Sequence, residues 1–212
     1  KMKKSVISNL FSIYLVILRG AGDLATGVAF RLHKAGFPIL ALELAQPLVV
    51  RRRVALASAV TQGEVTIEDM VGRRVASFAE AYKGAYAGFI PVLVSPDLPD
   101  RFNQLSGSKI LVDGRMAKRN IDTQLHQADL VVGLGPGFTA GSDCHAVIET
   151  MRGHRLGRVI WEGSALPNTG SPGSIAGKGA DRVLRAASDG VVRWRKEIGD
   201  RVQTGDPLGS VG

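Results

Sequence analysis

Ile17-Leu18-Arg19-Gly20-Ala21-Gly22-Asp23-Leu24-Ala25-Thr26-Gly27 decides the reading of this chain, because an apolar run breaks there into a glycine loop and then into helical periodicity. Upstream, Ile13 to Leu18 is nearly continuous apolar sequence, the pattern of a strand buried on both faces of a parallel sheet. Gly20, Gly22 and Ala25 fit G-x-G-x-x-[GA]. In that pattern the first glycine permits a tight turn, the second lets the backbone approach a pyrophosphate, and the small third residue lets the helix pack on the strand. A helix opening at Asp23 and Thr26 offers unpaired N–H groups and a positive dipole end to an anion. Gly20, Gly22, Asp23, Ala25 and Thr26 are therefore the first candidate cofactor-binding residues.

The flanking residues extend this reading. Leu24, Val28, Leu32 and Ala35 recur at helical spacing, and Gly36 is placed to stop the helix. A second apolar strand, Ile39 to Leu42, ends in Glu43, 21 residues beyond Gly22. That is close to the ~20-residue offset at which an acid of a Rossmann-type site meets a ribose hydroxyl. The alternative is a strand-to-helix turn whose glycines serve geometry, with Glu43 a solvated strand end.

Composition bounds the function classes. The chain has 212 residues, 45% of them hydrophobic and 22% charged, enough for one large domain or one domain with an appendage. A formal net charge of +8 favours anionic partners, whether nucleotides, phosphorylated cofactors, an acidic protein surface or nucleic acid, and does not choose among them. Nucleic acid is disfavoured, since aromatics are 6% and no zinc finger, RNP-type or clear helix-turn-helix pattern is found. A single cysteine, Cys144, excludes an intrachain disulfide and a multi-cysteine metal site, which fits a reducing cytoplasm. Met2-Lys3-Lys4 and the following apolar residues superficially resemble a signal peptide, but Ser5, Ser8, Asn9 and Ser12 interrupt the run. Residues 1–12 are expected to be a loose leader or extension. No apolar run reaches the ~18 residues of a membrane span.

Further strands are expected at Ile90 to Val94, Lys109 to Val112, Asp129 to Leu134 and Arg158 to Trp161. Helices are expected at Val49 to Val60, Phe78 to Tyr86, Ile121 to Gln127 and Ser142 to Met151. Such alternation predicts an α/β fold, a Rossmann-like and mainly parallel sheet with helices on both faces, over residues 13–163. Glu64 to Val75 reads equally as a strand, a loop or a small hairpin. Residues 164–187 form a Gly/Ser/Pro-rich loop leading to a short helix, Asp181 to Ala186. Residues 188–212, with Ile198-Gly199-Asp200 and Gly205-Asp206 as turn signals, predict a small β module.

Three further constellations carry chemistry. Leu130 to Gly141 repeats the strand-then-glycine pattern, and Gly133, Gly135, Gly137 and Thr139 could form a second anion-binding concavity facing the first; a tight connection needing small residues is the alternative. Asp113-Gly114-Arg115-Met116-Ala117-Lys118-Arg119-Asn120 clusters cations at a strand end, where Arg115, Lys118 or Arg119 could clamp phosphate, or simply be solvated. Arg51-Arg52-Arg53 could meet a 2′-phosphate that Glu43 would repel, so NAD and NADP stay undecided. On the expected helix after the second loop, His145 and Glu149 share a face; hydrogen bonding or capping is favoured over metal ligation, and no metal is expected. Cys144 would lie in that helix's first turn, where a dipole can activate a thiol, though a buried structural role is commoner.

Taken together, Arg19 to Gly27, Glu43-Leu44-Ala45-Gln46-Pro47, Val112-Asp113, Ala117-Lys118-Arg119-Asn120, Gly133-Leu134-Gly135-Pro136-Gly137-Phe138, Glu149-Thr150-Met151-Arg152-Gly153-His154 and Pro167-Asn168-Thr169-Gly170 resemble the YqeB-type accessory proteins of selenium-dependent molybdenum hydroxylase systems. The resemblance runs from about Leu15 to the chain end. It implies a role in maturing or supporting a molybdenum hydroxylase of the xanthine dehydrogenase kind, with that hydroxylase as partner, and supplies no catalytic mechanism. The C-terminal piece is similar to the first half of a biotinyl/lipoyl-like hammerhead, so the resemblance implies an incomplete module; no Met-Lys-Met-type attachment lysine is present. The leading expectation is an accessory protein binding a nucleotide or dinucleotide, either NAD(P) or the dinucleotide form of molybdopterin. An NAD(P)-dependent oxidoreductase and a non-enzymatic scaffold are the alternatives, and a homo-oligomer is compatible with each.

Overall fold

The computed structural model describes residues 10–170, 176–179 and 183–212. The chain divides into two compact units, Lys1–Asn168 and Thr169–Gly212. The first is a mixed α/β unit around a nine-stranded, mostly parallel sheet.

Its strands, in chain order, are β1 (Tyr14–Arg19), β2 (Ile39–Glu43), β3 (Glu64–Ile67), β4 (Met70–Val75), β5 (Ile90–Val94), β6 (Ser108–Asp113), β7 (Leu130–Leu134), β8 (Thr139–Ala140), β9 (Ala146–Ile148), β10 (Val159–Ile160) and β11 (Gly163–Ser164). The main sheet runs β10-β9-β7-β6-β1-β2-β5-β4-β3, with β8 and β11 pairing apart from it. β1 pairs in parallel with both β2 and β6; antiparallel pairing occurs at the two margins, β3 with β4 and β9 with β10. The chain thus builds outward from β1 in one direction and then returns to place β6 on its other side. Loops leaving the carboxyl ends of β1 and β6 diverge at such a reversal, which opens a crevice.

The apolar run of β1 behaves as its composition predicts. Val16 and Leu18 pack on one face with Ala25, Ala29 and Leu56, while Leu15 and Ile17 pack on the other with Ala81, Phe102 and Val147. Each fully buried aliphatic side chain contributes about 1.5–3 kcal/mol, so the alternating faces fix the register of this central strand. Helix α1 (Asp23–Ala35) covers the first face and ends at Gly36 in the left-handed region, φ 94°. α2 (Ala59–Gln62) is a single turn whose Ala59 and Val60 join the same apolar cluster. α3 (Phe78–Ala85) covers the second face; Ser77 caps it by accepting a hydrogen bond from Glu80 N–H. Before β1, Phe11 stacks on Phe37 with ring centroids 4.3 Å apart.

Three expected helices are corrected. Val49 to Val60 is an irregular segment with two short 3-10 turns, Arg52–Val54 and Leu56–Ser58, before α2. Its backbone donors are spent elsewhere: Leu56 N–H donates to Thr26 Oγ1 (2.9 Å) and Ala57 N–H to Ala21 O (2.8 Å). Ile121 to Gln127 holds one 3-10 turn, Leu125–Gln127, because the Asn120 and Gln127 side chains bond the local backbone in place of a helix. Ser142 to Met151 contains β9 instead of a helix; Thr139 N–H donates to Asp143 Oδ2 in a tight turn, after which β-branched Val147 and Ile148 join β7. The segment at Glu64 to Val75, open among three readings, is the β3–β4 hairpin.

In the second unit, β12 (Val192–Trp194) pairs antiparallel with β13 (Gly209–Val211). Asp200 and Asp206 each accept a hydrogen bond three residues back, from Glu197 and Gln203 N–H, closing the two turns marked by Gly199 and Gly205. The expected helix Asp181 to Ala186 lies partly outside the described residues, and Val183 to Ala186 are not helical.

Candidate functional site

The crevice at the β1/β6 reversal is a cavity of ≈ 740 Å3, within the range that holds nucleotide-sized ligands. It is walled by the carboxyl ends of β1, β2, β5 and β6 and by the segments that follow them.

Gly20, with φ +84°, makes the sharp exit from β1. A Cβ there would lie 2.9 Å from the Arg115 Cα, so this glycine serves both the turn and the contact with the β6 loop. Gly22 differs. Its backbone, φ −66° and ψ 179°, suits any residue, a Cβ would meet nothing within 4 Å, and it lines the cavity. No side chain caps α1 at Gly22, so the first N–H groups of the helix are left for water or a ligand. Ala25 and Thr26, behind this wall, do structural work. Ala25 packs against Gly114, where a Cβ would approach to 2.8 Å. Thr26 Oγ1 donates to Gly22 O (2.8 Å) and accepts from Leu56 N–H.

Glu43 ends β2 at the cavity edge. Its Oε2 accepts from Ala21 N–H (2.7 Å) and its Oε1 from Leu44 N–H (2.8 Å), tying the glycine loop to the second strand. A carboxylate has about four lone-pair sites, so each oxygen keeps capacity for a hydroxyl donor. Leu44, Leu48 and Val50 line the mouth beside it and are exposed, Leu48 at 91%.

The three arginines lining the cavity each face an aspartate. At the rim, Arg51 pairs with Asp23 at 2.5 Å. On the floor, Arg19 is 1% exposed and grips Asp122 bidentately, both bonds 2.8 Å. Arg115 donates to Asp113 Oδ2 and to Asp122 Oδ1, both at 2.6 Å, and Thr123 Oγ1 completes the buried Asp113 at 2.6 Å. Burial acts to raise Asp122, yet hydrogen bonds from Arg19 and then Arg115 outweigh it and hold the carboxyl below its usual range. Burial acts to lower Arg115, and Asp113, then Asp122, outweigh it and raise the guanidinium above its usual value. Arg115 is followed by two non-glycine residues in the left-handed region, Met116 (φ 55°) and Lys118 (φ 64°), a costly backbone of the kind found at ligand-facing loops.

Of the expected site residues, Gly20, Gly22, Asp23, Glu43 and Arg115 come together on the cavity wall. Lys118 and Arg119 are exposed beyond it. Gly133, Gly135, Gly137 and Thr139 do not line the cavity. A Cβ at Gly133 would run into Phe138, one at Gly135 into Thr150, and one at Gly137 to 2.5 Å from the Arg119 backbone; Thr139 Oγ1 bonds Ser164 Oγ.

The expected sharing of a helix face by His145 and Glu149 is corrected by the strand there. His145 Nδ1 accepts from Val131 N–H (2.9 Å), and Glu149 accepts from Met151 and Leu166 N–H (2.7 and 2.8 Å). Burial acts to raise Glu149, but the backbone donors, Leu166 first, lower it. Cys144 follows the turn and forms an isolated β-bridge with Ala140; it is buried, and burial pushes its thiol up, away from reactivity. Among the described residues no group of three or more His, Cys, Asp or Glu could hold a metal ion, and no helix is long and apolar enough to cross a membrane.

The floor network around Arg19 and Asp122 escaped the sequence reading. Its signal was an ion at the end of each of two apolar strands, since Arg19 and Asp113 are register partners in β1 and β6; Asp122 carried none.

No family model and no solved structure matches the chain. It is 48% identical over 200 residues to "Uncharacterized protein YqeB" of Escherichia coli (strain K12), an alignment covering 93% of this chain and 36% of that protein. The chain therefore spans about a third of the length of the curated relative it matches. Nearly the whole of this chain is therefore similar to part of a protein named YqeB.

Proposed function

We propose that the first unit is a Rossmann-like binding domain for a phosphate-bearing nucleotide or dinucleotide, held in the cavity at the β1/β6 reversal. The observation that carries this reading is Gly22. Neither its backbone angles nor its packing requires glycine, and it faces the cavity, so what its missing side chain provides is room for a ligand at the uncapped start of α1. The wall fits the parts of a dinucleotide. The α1 N-terminus and Gly22 suit the pyrophosphate, the remaining lone pairs of Glu43 suit ribose hydroxyls, and Leu44, Leu48 and Val50 suit a flat ring. NAD(P) and the dinucleotide form of molybdopterin both present such an end.

The cavity wall carries Asp23, Glu43, Ser95, Asp97 and Asp122 but, among the described residues, no His, Cys, Lys or Tyr. With the family resemblance, the reading becomes a cytoplasmic accessory protein that presents or protects a nucleotide-bearing cofactor while a molybdenum hydroxylase partner matures, and the small C-terminal β unit is the hammerhead-like piece of that assembly.

A thermal-shift series at fixed salt tests the binding claim with ADP, ADP-ribose, NAD, NADP and cytidine and guanosine diphosphates. A ligand present at 100 times its Kd stabilises by about 2.7 kcal/mol. No shift with any of them overturns the reading.

A further inference from the structure

The floor of the cavity holds two arginines, and both are engaged by the chain's own carboxylates. Arg19 spends both terminal nitrogens on Asp122, and Arg115 spends Nε and Nη2 on Asp113, Asp122 and Thr123. The network of Arg19, Arg115, Asp113 and Asp122 is neutral as a set. Its members are unequally placed: the Arg19, Asp113 and Arg115 side chains are 1%, 1% and 18% exposed, whereas Asp122 is 42% exposed. Asp122 is therefore the most exposed member of the set, a counter-anion that the chain itself supplies to the arginines at the cavity wall.

The backbone holds it there. Asn120 Oδ1 accepts from Thr123 N–H and Asn120 Nδ2 donates to Thr123 O, both at 2.8 Å, while Gln127 Nε2 donates to Asp122 O at 3.0 Å. An incoming phosphate would have to displace a carboxylate that both arginines grip and whose main chain is pinned on either side.

We propose that Asp122 is a specificity-determining residue: it reserves Arg19 and Arg115, so that the floor of the cavity rejects a second anionic group and accepts an uncharged, hydrogen-bond-donating part of the ligand. This rests on the reading of the cavity as the ligand site and assigns its two ends opposite chemistry. Phosphate belongs at the start of α1, and a neutral donor-bearing group, able to bond the exposed Asp122 carboxylate, belongs at the floor. The overall charge of +8 misleads here, because the floor is where the nearest cations are already neutralised.

The test is pyrophosphate binding by calorimetry to the wild type, Asp122→Asn, and Arg19→Leu combined with Asp122→Asn. The single substitution is expected to bind pyrophosphate at least tenfold more tightly than wild type, and the double substitution, which removes the released cation, to return to the wild-type value. A folded single variant with unchanged affinity, or a gain that persists in the double variant, overturns the proposal. Should the single variant not fold, Arg115→Lys decides: pyrophosphate affinity stays at the wild-type value if Arg115 is reserved, and falls tenfold or more if it holds the anion. The nucleotide series separates the two claims. A pyrophosphate gain without wild-type nucleotide binding removes the nucleotide reading and leaves the reserved arginines, whereas nucleotide binding without the gain does the reverse.

Discussion

The two glycine loops, Gly20 to Thr26 and Gly133 to Gly141, are near-repeats as sequence and opposites as structure. The first opens a thirteen-residue helix onto a cavity, and its second glycine faces empty space. The second leads into a tight turn and a two-residue strand, and a side chain added at Gly133, Gly135 or Gly137 would strike protein. Gly22 thus has open space beside it where Gly133, Gly135 and Gly137, like Gly20 in the first loop, meet packed neighbours. The sequence pattern does not distinguish them, but what a Cβ would meet does.

The contrast breaks first, and hardest, at Gly137→Ala. Its φ of +111° and the Arg119 backbone 2.5 Å from the new Cβ combine strain of about 1–3 kcal/mol with overpacking of about 1–3 kcal/mol. Chemical denaturation should show a loss of about 2–6 kcal/mol; a loss under about 1 kcal/mol would mean that the loop adjusts freely.

Glu149→Gln probes the same region through its charge. The amide keeps one acceptor where two backbone donors need satisfying, at a cost of about 1–3 kcal/mol. Glu149 has a lowered folded pKa, so its contribution is fully present above the unfolded value, near 4.5, and is lost as pH falls through the folded value. Denaturation from pH 7 to 3 should show wild type losing stability on acidification, with a shallower slope in the variant. Parallel slopes would contradict the assignment.

In the first loop, Gly22→Ala is expected to leave stability within about 1 kcal/mol, the scale of an N-cap change, while weakening nucleotide affinity at least tenfold. Unchanged affinity would remove the reason given for this glycine. The smallest effect belongs to Gly27, exposed within α1 with nothing near its missing Cβ. Gly27→Ala should stabilise by about 0.5–1 kcal/mol through helix propensity and leave binding untouched.

The legibility of the chain follows the same division. β1, β2, α1 and the strands from Ile90 to Leu134 were readable because burial on both faces writes itself as apolar runs, and Gly36 marks the helix end. In two of the three misread helices side chains take backbone groups that a helix would need, Thr26 the Leu56 N–H and Asn120 and Gln127 the Thr123 and Asp122 carbonyls, and in the third the residues from Ala146 to Ile148 pair with β7. Such competition is invisible to periodicity. For the site, Gly20, Gly22 and Glu43 were legible from spacing within one strand-loop-helix-strand unit. Asp122 was not, since it meets Arg19 across 103 residues and nothing local to either announces the pair.

The most direct measurement follows backbone amides by NMR while a nucleoside diphosphate or dinucleotide that shifts the melting transition is titrated in. The amides of Gly22, Asp23 and Leu24 should move and gain exchange protection, while those of Gly135, Gly137 and Thr139 stay unchanged. Movement centred on 135–139, or no response at 22–24, would contradict the assignment of the ligand to the first loop.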